Sequence, residues 1–196
     1  MADHYYSENP QSESRAALCR AVFQGHALVF QTDAGVFSRG GLDRGTALLL
    51  EALPPLSGSV LDLGCGWGPV GISLSKAYPG LRVTMTDINS RAVALSRENA
   101  RRNGVAPRVL QGDGFAPLGG ERFSAIITNP PIRAGKQVIY PLFEKSPRHL
   151  LPGGALYLVI QKKQGAPSAL AFLRGVFPQV RVLEKKGGFW VLEALG

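Results

Sequence analysis

The chain has 196 residues, 45% hydrophobic and 18% charged, a length that suits one domain and a balance that excludes a disordered chain. No apolar run approaches the roughly 18 residues that a bilayer crossing needs, and the polar start from Met1 to Pro10 lacks the charged-then-apolar pattern of a secretory leader. A formal net charge of +8 favours a polyanionic partner, nucleic acid foremost, and the two cysteines, Cys19 and Cys65, show neither metal-ligand spacing nor a disulfide framework, which points to a reducing cytoplasm.

Residues 1–14 read as a polar arm. Two β-favouring runs, 17–23 and 26–32, flank Gln24-Gly25 and predict a hairpin. Val36 and Phe37 then lie between two stretches of loop chemistry, Thr32-Asp33-Ala34-Gly35 and Ser38-Arg39-Gly40-Gly41. Asp43 is placed to cap a helix through Leu53, which Pro54-Pro55 stops. From Ser59 onward strands alternate with helices. Strand 60–63 leads to a helix opened by Pro69 and closed before Pro79-Gly80; strand 81–86 leads to helix 90–102, closed by Asn103-Gly104. Strands 108–111 and 123–128 follow. Residues 135–150 carry a helical pattern that Pro141 and Pro147 should kink or break. Strand 155–161, helix 167–176 and a hairpin of 180–184 with 189–195 around Lys185-Lys186-Gly187-Gly188 complete the chain. This succession predicts an α/β fold: a doubly wound, Rossmann-like sheet of seven strands, mostly parallel, with an antiparallel C-terminal hairpin and an N-terminal β-hairpin extension. A single domain over 1–196 is expected, divided into the arm (1–14), an extension with a lid (15–55) and the core (56–196).

In such sheets a ligand lies beyond the carboxyl ends of the strands, at the point where strand order reverses. Asp62-Leu63-Gly64-Cys65-Gly66-Trp67-Gly68 falls at the end of the first core strand, and its glycines allow close backbone approach and a sharp turn into the next helix. Gly66-x-Gly68-x-x-Gly71 also satisfies the dinucleotide fingerprint, so a nicotinamide-dependent oxidoreductase stands beside other nucleotide-cofactor enzymes at this point. Asp62, two residues before the glycines, can hold a cationic amino group or ordered water and would serve a pyrophosphate poorly. Asp87 ends the second strand, where a carboxylate can accept both hydroxyls of a ribose; Gly112-Asp113-Gly114 ends the third, where Asp113 can receive an adenine amino group. Each of these carboxylates would also suit a helix cap or a turn.

This order of motifs resembles the class I S-adenosylmethionine-dependent methyltransferases. The resemblance implies S-adenosylmethionine as cofactor, with the roles just given for Asp62, Gly64, Gly66, Asp87 and Asp113 and with Cys65, Ile88 and Gly114 beside them in the same turns. No metal is implied.

Ile126-Ile127-Thr128-Asn129-Pro130-Pro131-Ile132 is the most specific segment. A buried strand ends in a corner stiffened by two prolines, with Asn129 held extended by the proline after it. The corner offers the Asn129 side-chain carbonyl and the Pro130 backbone carbonyl as acceptors for the two hydrogens of an exocyclic amine. Such an amine is weakly nucleophilic, so positioning and acceptors that strengthen as its nitrogen gains charge would do the catalysis. Enzymes acting on adenine N6 or on a release-factor glutamine resemble Asn-Pro-Pro followed by an aromatic; Ile132 cannot stack in that way. Asn129-Pro130-Pro131-Ile132-Arg133-Ala134-Gly135, with Thr32-Asp33-x-Gly35-Val36-Phe37-Ser38 and Gln161-x-x-Gln164-Gly165-Ala166, resembles the small-subunit rRNA methyltransferase C family from about Val22 to Val191. That resemblance implies guanine N2 of RNA as the acceptor, places Phe37 and Ser38 as a cofactor-contacting lid near the methionine end and the base, and sets Asn129 beside the cofactor as well. The longer members resemble a duplicated protein, of which this chain carries the catalytic half.

Six cations are placed by topology to ring the mouth and clamp phosphates around a splayed base: Arg39, Arg44, Arg133, Lys136, Lys162 and Lys163. The expectation is therefore an RNA methyltransferase acting on small-subunit rRNA or the assembling subunit, with monomeric and homodimeric states both open. A protein glutamine methyltransferase and a tRNA base methyltransferase are the alternatives; a non-catalytic RNA-binding domain and an oxidoreductase fit less of the chain.

Overall fold

The computed structural model describes residues 8, 13, 15–36, 38 and 40–196. The expectations for Phe37, for Arg39 and for most of the arm fall outside those residues. Two strands, β1 (Ala17–Phe23) and β2 (His26–Thr32), pair antiparallel through a two-residue turn. Gln24 and Gly25 both take positive φ there (48° and 77°), the handedness that matches the twist of a tight hairpin. Helix α1 (Arg44–Ala52) follows, with the Asp43 side chain accepting from the backbone N–H groups of Gly45 and Thr46.

The core alternates β3 (Ser59–Leu63), α2 (Pro69–Ala77), β4 (Arg82–Asp87), α3 (Ser90–Arg102), β5 (Arg108–Gln111), β6 (Phe123–Thr128), α4 (Lys136–Lys145), β7 (Leu150–Gln161), α5 (Ala166–Arg174), β8 (Gln179–Lys186) and β9 (Phe189–Leu195). Seven of these strands form one sheet in the order β5-β4-β3-β6-β7-β9-β8. The first five in that order run parallel, and β9 runs antiparallel to both its neighbours. Period-two alternation divides the core into two layers. Val60, Val83, Met85 and Ile127 face α1, α2 and α3, whereas Leu61, Leu63, Ile126 and Leu156 face α4 and α5. Chain order reverses at β3, with β4 on one side and β6 on the other, which sets the switch point at the carboxyl ends of those strands. Among the described residues no helix is long and apolar enough to cross a membrane.

The N-terminal hairpin is tied to the core by two asparagines one helical turn apart. Asn99 pairs with the backbone N–H and carbonyl of Gln31 (2.7 and 2.8 Å), and Asn103 does the same for Val29 (3.0 and 2.8 Å). Four residues of helix advance about 6 Å and two residues of strand about 6.6 Å, so the two repeats stay in step. Phe30 packs edge-on against Trp67, sealing the contact.

Three boundaries differ from the sequence reading. Helix α4 runs through Pro141; the missing N–H deprives only the carbonyl of Gln137, an exposed residue in the first turn, and Pro147 instead sits in the 3-10 turn Ser146–His149 that follows. β7 starts at Leu150 rather than at residue 155. Its ladder pairs Phe123 with Leu150, then Ala125 with Ala155, so Pro152-Gly153-Gly154 forms an irregularity inside the strand where proline's missing donor is tolerated. The C-terminal hairpin keeps Lys185 and Lys186 in β8 and turns on Gly187 and Gly188 alone (φ 58° and 81°).

Candidate functional site

At the switch point a cavity of about 330 Å³ opens where the turns after β3, β4, β5 and β6 meet the start of α1. Gly64 and Gly66 have φ of 72° and 57°, and a Cβ on either would project into open space. Their backbone therefore forms the cavity surface itself. Gly64 N and Cys65 N both donate to the Thr86 carbonyl (2.8 and 2.9 Å), which pins this turn to the end of β4. Gly71 matters for packing instead, because a Cβ there would lie 2.7 Å from Met85; glycine lets α2 lie close on β4.

Two carboxylates line the cavity, Asp62 buried and Asp87 half-buried. Asp87 accepts from Gly66 N (2.7 Å) and Asn89 N (2.9 Å); burial raises its pKa against the pull of those donors. Asp62 accepts from Gly71 N at 2.8 Å, in the first turn of α2. Burial lifts Asp62 to about 7, opposed by that hydrogen bond and assisted by the negative charge of Asp87. Asp62 is thus a helix-cap partner and a cavity wall at once. Burial also pushes the Cys65 thiol far up, with both carboxylates adding to the effect, so it is held as a neutral thiol. Ile88, Asp113 and Gly114 complete this side. Thr86 also lines the cavity, and its buried Oγ1 has no hydrogen-bond partner among the described residues.

The far wall is the corner after β6. Pro131 (φ −73°, ψ 74°) is the centre of an inverse γ-turn closed by Ile132 N donating to the Pro130 carbonyl at 2.8 Å. One lone pair of that carbonyl is therefore engaged and the other is available. Asn129 Nδ2 donates to Thr46 Oγ1 at 2.9 Å and to Asp43 Oδ2 at 3.4 Å.

Beyond Asn129 and Pro130 the cavity adjoins a groove of about 560 Å³, which adds Arg44, Ile132, Arg133, Gln161, Gln164 and Phe189. Of the six cations read from the sequence, the groove brings Arg44 and Arg133 together. Lys162 and Lys163 lie exposed in a 3-10 turn between the two groove glutamines, and Lys162 N bonds the Gly188 carbonyl (2.8 Å), which draws that turn toward the β8–β9 hairpin. Lys136 is exposed at the start of α4, its Nζ 5.7 Å from the Tyr140 ring centre. Ser38 lines both spaces, in a left-handed conformation (φ 56°) with its hydroxyl on the Gly41 carbonyl.

Several lining residues escape the sequence reading. Asp43 reads there only as a cap, and Thr46 carries no signal of its own. Val138 and Leu142 close the cavity opposite Gly114, whose Cβ would come within 2.7 Å of Leu142. Their spacing of four marks one helix face, but only once α4 is known to continue through Pro141.

A parallel sheet in this order, a glycine turn at its switch point and acidic residues ending successive strands define a class I S-adenosylmethionine-dependent methyltransferase. The methyltransferase small domain model matches residues 27–193, and the chain belongs to that family. It is 43% identical over 198 residues to the uncharacterized protein YbxB of Bacillus subtilis, covering 99% of this chain and 98% of that one. It is 46% identical over 132 residues to the ribosomal RNA small subunit methyltransferase C of Pseudomonas fluorescens, covering 64% of this chain but 39% of the relative. The T. thermophilus 16S rRNA N2 G1207 methyltransferase, solved with S-adenosylmethionine and guanosine, superposes with a TM-score of 0.83 at 27% identity over 95% of this chain and 52% of that one. The chain thus spans roughly half or less of the rRNA methyltransferases it matches. S-adenosylmethionine is its cofactor, and the cavity suits it: open glycine backbone and strand-end carboxylates as acceptors for hydroxyl and amino donors.

Proposed function

We propose that the chain transfers a methyl group to the exocyclic N2 amine of a guanine in small-subunit rRNA. The observation that carries this is the position of the Asn129-Pro130-Pro131-Ile132 corner, which borders both the cofactor cavity and the groove. An amine held at that border meets acceptors on one side and the methyl donor on the other. S-adenosylmethionine supplies, when bound, an electrophilic methyl carbon on a sulfonium.

The chain's own residues do the rest. Asp87 would hold the ribose hydroxyls, Asp113 the adenine amino group and Asp62 a cationic amino group or an ordered water. Gly64, Cys65, Gly66, Ile88 and Gly114 shape the surface around them, and Ser38 would form part of a lid, a role the family resemblance also gives to Phe37. Asn129 Oδ1 and the free lone pair of the Pro130 carbonyl accept the two amine hydrogens. Both acceptors gain strength as the nitrogen becomes positive, and neither must reorganise to do so. The methylated nitrogen afterwards loses a proton to water. Arg44 and Arg133 grip phosphates beside the base, with Lys136, Lys162 and Lys163 further out along the RNA; the sequence adds Arg39 to this set of phosphate contacts. The basic charge of the chain and the names of its relatives support RNA over protein as substrate.

Mass mapping of modified nucleosides in rRNA and tRNA from a strain lacking the protein tests this directly. Loss of N2-methylguanosine at one position of small-subunit rRNA is expected. An unchanged rRNA map, or loss of a mark confined to tRNA, overturns the substrate assignment.

A further inference from the structure

The Asn129 amide has two nearly isosteric ends, an acceptor and a donor, and only the acceptor end is useful against an amine. Nothing in the proline corner itself selects between them. The selection comes from α1, more than eighty residues earlier in the chain. Asp43 Oδ1 caps the helix by accepting from Gly45 N (2.9 Å) and Thr46 N (3.2 Å), and Asp43 Oδ2 accepts from the Thr46 hydroxyl. A threonine hydroxyl has one hydrogen, and here the carboxylate engages it. Thr46 Oγ1 can therefore only accept from its other neighbour, which is Asn129, 2.9 Å away. A donor, Nδ2, must face Thr46, and the Asp43 oxygen at 3.4 Å enforces the same choice. Oδ1 is left turned away from this pair, with no partner among the described residues, on a side chain that lines both the cavity and the groove.

We propose that Asp43 and Thr46 are positioning residues that dictate which end of the Asn129 amide faces the acceptor amine. The inference rests on the role given to Asn129 under the proposed function. The Asp43 carboxylate also polarises the amide through Thr46, so that Oδ1 becomes a better acceptor as positive charge develops on the nitrogen. With Thr46 unable to accept, Nδ2 keeps only the longer 3.4 Å contact to Asp43 Oδ2, so the hold on the amide weakens, and in the flipped fraction its NH₂ would oppose the NH₂ of the base.

Thr46→Val keeps the shape and removes the acceptor; Thr46→Ser restores it; Asp43→Asn keeps a capping oxygen and removes the charge. Two measurements on the full chain decide the matter. In ¹⁵N spectra, with the Asn129 side-chain amide assigned by its loss in Asn129→Ala, that NH₂ is expected to be protected from solvent exchange in the wild type and to lose protection in Thr46→Val. In steady-state assays on 16S rRNA, Thr46→Val is expected to lower kcat by about tenfold or more. The KM for RNA and the Kd for S-adenosylhomocysteine should stay within about twofold, and Thr46→Ser should recover most of the rate. A purely packing role would instead lower the melting temperature without this split between kcat and KM. An unprotected Asn129 amide in the wild type overturns the proposal, as does a Thr46→Val kcat within about twofold of wild type, or a Thr46→Ser variant no faster than Thr46→Val. A wild type that places no methyl on 16S rRNA removes the proposed substrate, and the exchange measurement alone then decides the amide orientation.

Discussion

The cofactor cavity and the groove beside it meet at Asn129, yet they are assembled by different means. The cavity is made largely of short turns that each follow a strand, so backbone and side chain of consecutive residues form it together: Gly64 to Gly66 after β3, Asp87 and Ile88 after β4, Asp113 and Gly114 after β5. Asp62, buried, and Asp87, half-buried, are already held there by backbone donors. The groove gathers side chains from α1, from the turns before α4 and α5, and from β9, and its two arginines are exposed. A fixed small molecule suits the first arrangement, because its binding atoms are held by the sheet. A polymer chain suits the second, where charge attracts and a few contacts orient.

The largest effect should come at the boundary itself. Asn129→Ala removes the amide acceptor while leaving the cavity floor intact; kcat is expected to fall by about 10²- to 10³-fold, with the calorimetric Kd for S-adenosylhomocysteine unchanged. Retained turnover would reduce the corner to a wall. On the cavity side, Asp87→Ala removes a carboxylate pre-set by two backbone donors. Charge-assisted hydrogen bonds contribute about 1.5–3 kcal/mol each, so the same Kd should weaken by about 100-fold.

Asp62 gives a subtler signature. Its carboxyl sits at about 7 in the ligand-free fold because burial disfavours the charge, and a bound cationic amino group favours the ionised form. Cofactor affinity should therefore drop between pH 8 and pH 6 by about tenfold, and Asp62→Asn should flatten that profile. Stability runs the other way. The folded pKa lies above the ordinary value of 3.8, so between about 4 and 7 the folded protein holds more protons than the unfolded chain. The stabilisation this brings is complete below about 4 and is lost as pH rises through 7. The melting temperature of ligand-free wild type, relative to Asp62→Asn, should accordingly rise as pH is lowered from 8 to 5. The smallest effect belongs to the groove: Arg133→Ala should raise the KM for RNA a few-fold and reduce the slope of log affinity against log salt by about 1, with cofactor Kd unaltered. Lys162→Ala, outside the groove lining, should do less.

The same division governs how much the sequence discloses. The strand-end carboxylates, the glycine turn and the proline corner are local signals, since each needs only its own strand and the bend after it, and the hairpin over residues 17–32 and helix α3 fall where propensity and capping place them. What stays hidden depends on distant segments. Asp43 and Thr46 carry the spacing of an ordinary helix cap, and only the packing of α1 beside β6 makes them neighbours of Asn129. Pro141 suggests a break because proline usually ends helices, yet α4 needs to give up just one bond to keep Val138 and Leu142 on one face. Charges on exposed turns, such as Lys162 and Lys163, obey no local rule that says which way a turn leans.

The asparagine clamp on β2 bears on which lengths of chain this fold can accept. Asn99 and Asn103 fix Gln31 and Val29 to α3, and from that anchor the chain has only a few residues before Val36 and Ser38 reach the rim of the cavity. Extra residues inserted at Gln24-Gly25 lie upstream of the anchor and would bulge harmlessly into solvent. The same insertion just after Thr32 would release slack directly over the cofactor, about 3.3 Å for each residue added. Insertions between Thr32 and Ser38, where Thr32, Asp33 and Val36 are buried, should therefore be far less tolerated than insertions at the exposed hairpin tip.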